Sequence, residues 1–228
     1  MSATTPEPGR PARKTILIVD DHPVLRRGLA ALIESEPDLV VCAEAATSRA
    51  ALKAIGENQP DLVIVDLVLG EEDGLALVNE IDRLHPEIPS LVLTMHDETV
   101  YAERSLRAGA LGYVNKQQLD ETILFAIRRL LDGERYMSEK LEQQLLAKYL
   151  GGQTLETSSL LDALSNRELQ VFRLIGQGRT TRQIAKTLTL SIKTIESHRE
   201  HIKNKLALKS SAEMAQRAAQ WVEANHIN

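Results

Sequence analysis

Five polar residues stand where short apolar runs stop. Asp20 and Asp21 follow ILIV, Asp66 follows LVIV, Thr94 lies within LVLTM, and Lys116 follows GYVN. Three carboxylates brought together repel one another unless a cation sits between them. A carboxylate can also attack an activated phosphoryl group to give an acyl phosphate, a transfer that depends on positioning and charge neutralisation. Asp66 is the candidate nucleophile on this reading. Asp20 and Asp21 are candidate ligands for magnesium, which takes oxygen donors in octahedral geometry. Thr94 can donate a hydrogen bond to one phosphoryl oxygen, and Lys116 can pair with another.

Such a pocket requires elements that bring distant residues together. Strands are predicted near Thr15–Asp20, Leu39–Ala45, Leu62–Asp66, Leu91–Met95 and Gly112–Asn115. Between and after them, helical periodicity covers about Val24–Ser35, Ser48–Asn58, Leu75–Leu84, Thr99–Ala108 and Leu119–Asp132. Short apolar strands alternating with helices imply a parallel sheet covered on both faces. The predicted fold is α/β, a five-stranded doubly wound sheet in the order 2-1-3-4-5, with functional groups gathered beyond the carboxyl ends of the strands. Pro23 suits a first helical turn, and Pro60 and Pro89 stop helices just before strands.

The stretches ILIVDDHPVLRRGL, DLVIVDLVLGEEDG, LVLTMHDE and RAGALGYVNK resemble, in order and spacing, the receiver domain of two-component response regulators over about residues 14–133. The resemblance implies that Asp66 is phosphorylated by a sensor histidine kinase. It also implies that Asp20, Asp21, Asp66 and the backbone carbonyl of Val68 ligate magnesium, and that Thr94 and Tyr113 form a switch pair. Two positions depart from the family pattern. Gly70 stands four residues after the phosphoacceptor, where proline is usual, and Gln117 follows the pocket lysine, where proline is frequent. An aspartate-nucleophile phosphatase is the enzymatic alternative, but it would want an acid or base two residues past Asp66, where this chain has Val68. His96, near the pocket mouth, is read as a solvated loop residue.

The net charge of −5 conceals an uneven division. Residues 14–135 carry 12 Lys+Arg against 22 Asp+Glu, or −10, whereas residues 160–228 carry 11 against 6, or +5. A basic half joined to an acidic one suggests that the basic half meets a polyanion. Cys42, the single cysteine, allows no intramolecular disulfide and reads as strand packing. No apolar run approaches the roughly 18–20 residues that span a bilayer, and the opening MSATTPEPGRPARK reads as a disordered tail without an apolar signal segment. The expected compartment is the cytoplasm.

Four regions follow from this division: a tail over 1–13, the α/β domain over 14–135, a helix and flexible linker over 136–159, and a small all-helical domain over 160–228. In the last region, Ser165 with Glu168 and Thr180 with Gln183 have capping-box spacing, and Gly178 suits a helix end. Ser191 can cap IKTIESHREHIKNKL, and a final helix starts at Ser211. A short helix, a tight turn and a longer helix have the spacing of a helix-turn-helix, whose second helix enters the major groove. Ile192, Ile195, Ile202 and Leu206 are expected to face inward, with Lys193, Glu196, Ser197, Glu200 and Lys203 on the other side.

The segment LSNRELQVFRLIGQGRTTRQIAKTLTLSIKTIESHREHIKNKLALKSSAEM looks like the LuxR-type helix-turn-helix domain. A receiver joined to it is the architecture of NarL/FixJ-type response regulators. The resemblance implies a transcription regulator that binds promoter DNA and forms a homodimer when phosphorylated. Candidate DNA contacts are Arg182, Lys193, Thr194, Glu196, Ser197, Glu200 and Lys203, with Glu196 or Glu200 able to accept from cytosine N4. Met214, Ala218 and Trp221 form a stripe on the final helix, expected to mediate dimerisation.

Overall fold

The computed structural model describes residues 13–70, 72–95, 98–116, 121–150 and 160–224. The amino-terminal tail, His96, Gln117 and the GGQTLETSS linker lie outside the described residues. The chain divides into two compact units, Met1–Leu145 and Leu146–Asn228.

The first unit opens with β1 (Lys14–Val19), α1 (Pro23–Glu34), β2 (Leu39–Ala45), α2 (Ser48–Asn58) and β3 (Leu62–Val65). A short hairpin, β4 (Val68–Leu69) and β5 (Glu72–Asp73), then leads into α3 (Gly74–Leu84). After it come β6 (Ser90–Thr94), α4 (Glu98–Arg107), β7 (Gly112–Asn115), α5 (Glu121–Leu131) and the start of α6 (Glu139–Leu150), which continues past Leu145. All five long strands are parallel, in the order β2-β1-β3-β6-β7. With the hairpin set aside, this is the expected 2-1-3-4-5 winding. The hairpin itself was not expected, because two-residue strands carry no periodicity to detect.

The central strands are buried on both faces, as the apolar runs require: Ile16–Val19 and Leu62–Val65 are at most 1% exposed. One face packs Ile16, Ile18, Ile64, Leu91 and Leu93 against Leu29 and Ile33 of α1 and Ile123, Ile127 and Leu130 of α5. Side chains alternate along a strand, so the intervening residues fill the opposite face. Cys42 marks a register shift, with Val41 opposite Ile16 but Ala43 opposite Leu17. It is half-buried there, its thiol donating to Ile16 O at 3.4 Å.

Among its described residues the second unit has a 3-10 turn (Leu160–Ala163) followed by α7 (Asn166–Gly176), α8 (Thr181–Thr187), α9 (Ile192–Lys205) and α10 (Ser211–Ala224). Both capping boxes are closed: Ser165 with Glu168 opens α7, and Thr180 with Gln183 opens α8. Gly178, at φ +76°, turns the chain between them. Ser191 Oγ accepts from the Thr194 N–H at 3.0 Å and starts α9. Gly176 allows α10 close to α7, since a Cβ there would lie 2.4 Å from Ala218 O.

Candidate functional site

The carboxyl ends of β1 and β3 place Asp20 and Asp66 side by side, both nearly fully buried. Lys116, from the end of β7, bridges them, its Nζ 2.6 Å from Asp20 Oδ2 and 2.7 Å from Asp66 Oδ2. Residues 50 and 96 positions apart thus meet because parallel strands all end on one edge. Burial lifts the Asp66 carboxyl to a pKa of about 6, with Lys116 pulling it down and Asp20 pushing it up. Thr94 and Tyr113 are buried on the neighbouring strands β6 and β7.

Asp21 completes the cluster. Its Oδ2 accepts from the Gly70 N–H at 2.9 Å, while its Oδ1 is buried with no hydrogen-bond partner. Proline at position 70 could not make this contact, having no N–H, and Gly70 sits at φ +63°, outside proline's range. The departure from the family pattern therefore ties the β4–β5 turn to the acidic pocket. Gly74 is needed for a different reason: a Cβ there would lie 1.9 Å from Asp66 O, so only glycine lets α3 start against the Asp66 backbone.

The donors fit a divalent cation. Ligand atoms of Asp20, Asp21, His22 and Asp66 lie within 4.8 Å of one another. Among the described residues, three carboxylates there face the ammonium of Lys116, a charge deficit of two that a dication would balance. The Val68 carbonyl belongs to the hairpin strand that follows Asp66.

In the second unit, α8 and α9 form the short-helix, turn, long-helix arrangement. Arg182, Lys193, Glu196, Ser197 and Glu200 are exposed, whereas Ile195 and Ile202 are fully buried. The buried Glu168 ties the start of α7 to the end of α9. It closes the α7 capping box and accepts from Lys205 Nζ at the end of α9, at 2.6 Å. Burial raises the pKa of that carboxyl, but the bonds from Lys205 and from Ser165 outweigh it and leave the group below its ordinary value.

These two constellations coincide with two family models. Residues 16–128 match the response regulator receiver domain, and residues 162–218 match the bacterial regulatory proteins of the luxR family. Oxygen regulatory protein NreC of Staphylococcus epidermidis is 38% identical over 208 residues, which cover 89% of this chain and 95% of that protein. The chain belongs to the response regulators with a LuxR-type DNA-binding domain.

Solved structures of this family agree. A LuxR-family response regulator from Aurantimonas is 34% identical with a TM-score of 0.56, covering 61% of this chain and 99% of that one. RcsB of Salmonella enterica serovar Typhimurium, bound to promoter rprA in the presence of phosphomimetic BeF3-, is 26% identical with a TM-score of 0.55. That match covers 91% of this chain and 98% of the other. No helix among the described residues is long and apolar enough to cross a membrane.

Several expected site residues of this response regulator are placed differently by the structure. Met214 and Ala218 are 0% exposed. Both pack in the core of their own unit, while Trp221 of the same stripe keeps part of its surface exposed. Trp221 is half-buried beside Phe172, ring centroids 6.0 Å apart. Ile192, expected to face inward, is 44% exposed at the first position of α9. Lys203 is mostly covered and paired with Glu200 at 2.7 Å. The Thr194 hydroxyl lies 2.8 Å from Ser191 Oγ within the helix cap.

Sequence reasoning missed two residues at the pocket. Arg26, one turn into α1, donates through Nη1 to Asp20 O at 2.6 Å and through Nε to Glu44 at 2.8 Å, pinning the end of β1. Its spacing from Asp20 was visible, but an arginine on an amphipathic helix gives no sign of what it faces. His22 was also overlooked, although it directly follows the two aspartates.

Proposed function

We propose that Asp66 is the phosphoacceptor of this response regulator, taking its phosphoryl group from a sensor histidine kinase. The observation that carries this reading is the Lys116 bridge, which buries the Asp66 carboxylate beside Asp20 and aims one cation at both. An Asp66 carboxylate oxygen attacks the phosphorus while the bond to the donor breaks. Lys116, already 2.7 Å from Asp66, then pairs with a phosphoryl oxygen. Thr94 donates to another oxygen, and Tyr113, on the adjacent strand, repacks with it as the switch pair. Arg26 and Gly74 position the loop without touching the phosphoryl group.

Asp20, Asp21, Asp66 and the Val68 carbonyl are the residues that would hold magnesium, which neutralises charge between carboxylates and phosphoryl oxygens when bound. The receiver carries out only its own phosphoryl transfer and slow hydrolysis. The output is promoter binding, with α9 in the major groove and α8 across the backbone. Arg182 and Lys193 contact phosphates, and Glu196, Ser197 and Glu200 face base edges. Phosphorylation favours a homodimer. The regulator acts in the cytoplasm.

Incubation with acetyl phosphate and magnesium, followed by intact mass spectrometry, tests the central assignment. The wild type should gain one phosphoryl group, and Asp66→Asn, which keeps the shape, should gain none. Labelling of Asp66→Asn would place the nucleophile elsewhere.

A further inference from the structure

The two carboxylate oxygens of Asp21 are used differently. Oδ2 accepts from the Gly70 N–H at 2.9 Å. Oδ1 is buried although the side chain as a whole is 28% exposed, so it faces inward, with the His22 ring beside it as an ion partner. The terminal torsion of an aspartate is broad, and an unanchored carboxylate turns through many orientations. A bond at one oxygen therefore decides where the other points.

The turn that supplies this bond is itself fixed. Val68 pairs with Asp73 and Leu69 with Glu72, so Gly70 opens the loop between them. Short hairpin loops favour turns with positive φ at their first central residue, and Gly70 has φ +63°. The hydrogen bond that closes such a turn joins the residues flanking the loop, which leaves the Gly70 N–H to donate outward. On the returning strand, Glu72 Oε2 accepts from the Ser48 N–H at 2.7 Å, at the start of α2. The hairpin is thus tethered to α2 and cannot swing away from Asp21 without breaking that bond. Glycine is needed here for its backbone angle and not for space, since the nearest atom to a Cβ would be Asp21 Oδ2 at 4.0 Å.

We propose that Gly70 is a positioning residue for magnesium binding: its N–H holds Asp21 Oδ2, which keeps Oδ1 turned toward Asp20 and Asp66 before the cation arrives. The inference rests on the reading of Asp20, Asp21 and Asp66 as the magnesium site and adds the group that orients one of the three carboxylates. Proline has no N–H to give, so the device comes with the departure to glycine at this position.

The test uses the full chain, titrated calorimetrically with Mg2+ at neutral pH, in the wild type, Gly70→Asn, Gly70→Pro, Asp21→Ala and the double variant Gly70→Pro/Asp21→Ala. Asparagine keeps the N–H and tolerates a left-handed backbone, so Gly70→Asn should bind as the wild type does. Gly70→Pro should lose at least about tenfold in affinity, the lower end of the effect of losing a partner that orients a metal ligand. In the Asp21→Ala background the same substitution should cost nothing further, because the bond has already lost its acceptor. A turn that is merely distorted would weaken binding there as well, through Val68. Nuclear magnetic resonance adds a readout that needs no proline variant. The Gly70 amide proton of the wild type should lie downfield, stay there when magnesium binds, and move upfield in Asp21→Ala. Any of four results overturns the inference: Gly70→Pro binding as tightly as the wild type, equal losses in Gly70→Asn and Gly70→Pro, equal losses with and without Asp21, or a Gly70 amide unmoved by Asp21→Ala. If instead Asp21→Ala itself leaves magnesium affinity unchanged, the acidic cluster is not the cation site, and the underlying reading fails and takes the inference with it.

Discussion

At the scale of single residues, the pocket depends on atoms that carry no charge as much as on those that do. Gly74 offers no chemistry, yet any side chain there would collide with Asp66 O. Gly74→Ala is therefore expected to slow acetyl-phosphate labelling of Asp66 by about tenfold to a hundredfold, the scale of an ångström-sized misplacement. Timed mass spectrometry would check this, with every carboxylate and Lys116 retained. On α9 the structure separates two glutamates that the sequence leaves equivalent. Glu200 is satisfied by Lys203, while Glu196 projects without an ion pair among the described residues. Glu196 is thus the better candidate for accepting from cytosine N4, a contact worth ~1–3 kcal/mol of discrimination. Glu196→Gln should shift the preferred base at one operator position, as read by selection from randomised DNA. Uniformly tighter binding with an unchanged preference would make Glu196 merely repulsive.

At the scale of elements, the basic unit is held by its helix ends. Ser165, Thr180 and Ser191 each close an N-terminus, and losing one such cap costs about 1 kcal/mol. The Glu168–Lys205 bond adds a tie between the start of α7 and the end of α9, so it sets how the recognition helix is carried. Because the Glu168 carboxyl lies below its ordinary value in the folded unit, its contribution is complete above the unfolded pKa. It is then lost as pH falls through the folded one. Glu168→Gln keeps an acceptor for the Ser165 N–H but removes the charge facing Lys205. The wild type should be the more stable protein above about pH 5, and the gap should close on acidification. Thermal unfolding of both proteins across pH 3–7, a window set by the glutamate reference value of about 4.3, would measure it. A gap that stays constant would exclude an ion-pair contribution.

At the scale of the whole molecule, an acidic receiver and a basic DNA-binding unit each bury a separate core. Because Met214 and Ala218 fill the core of the second unit, dimerisation has to use surface other than theirs. Treatment with acetyl phosphate and magnesium should raise the sedimentation coefficient of the wild type toward that of a dimer. Asp66→Asn should remain unchanged at equal concentration. A dimer fraction independent of phosphorylation would separate assembly from the switch.

The sequence alone determined the strand positions, the helix caps and the polar residues at the strand ends, because each is a local pattern, while the strand order followed from how parallel strands are wound. An apolar run stops at a polar residue, or a serine stands three residues before a glutamate. The match of Leu39–Ala45, Ser48–Asn58 and Gly112–Asn115 to the observed elements reflects that same locality. What tertiary structure decided was which side of a pattern meets a neighbour. Met214, Ala218 and Trp221 form an apolar stripe in either case, but whether a second chain or the same unit covers it depends on α7, brought close by Gly176. Likewise, Asp-Asp-His is only a string until Pro23 and the Asp20 contacts set the histidine beside Asp21 Oδ1. Spacing along a chain fixes which residues share an element. Only packing between elements fixes the distances, of about 3 Å, at which ligands and ion pairs form.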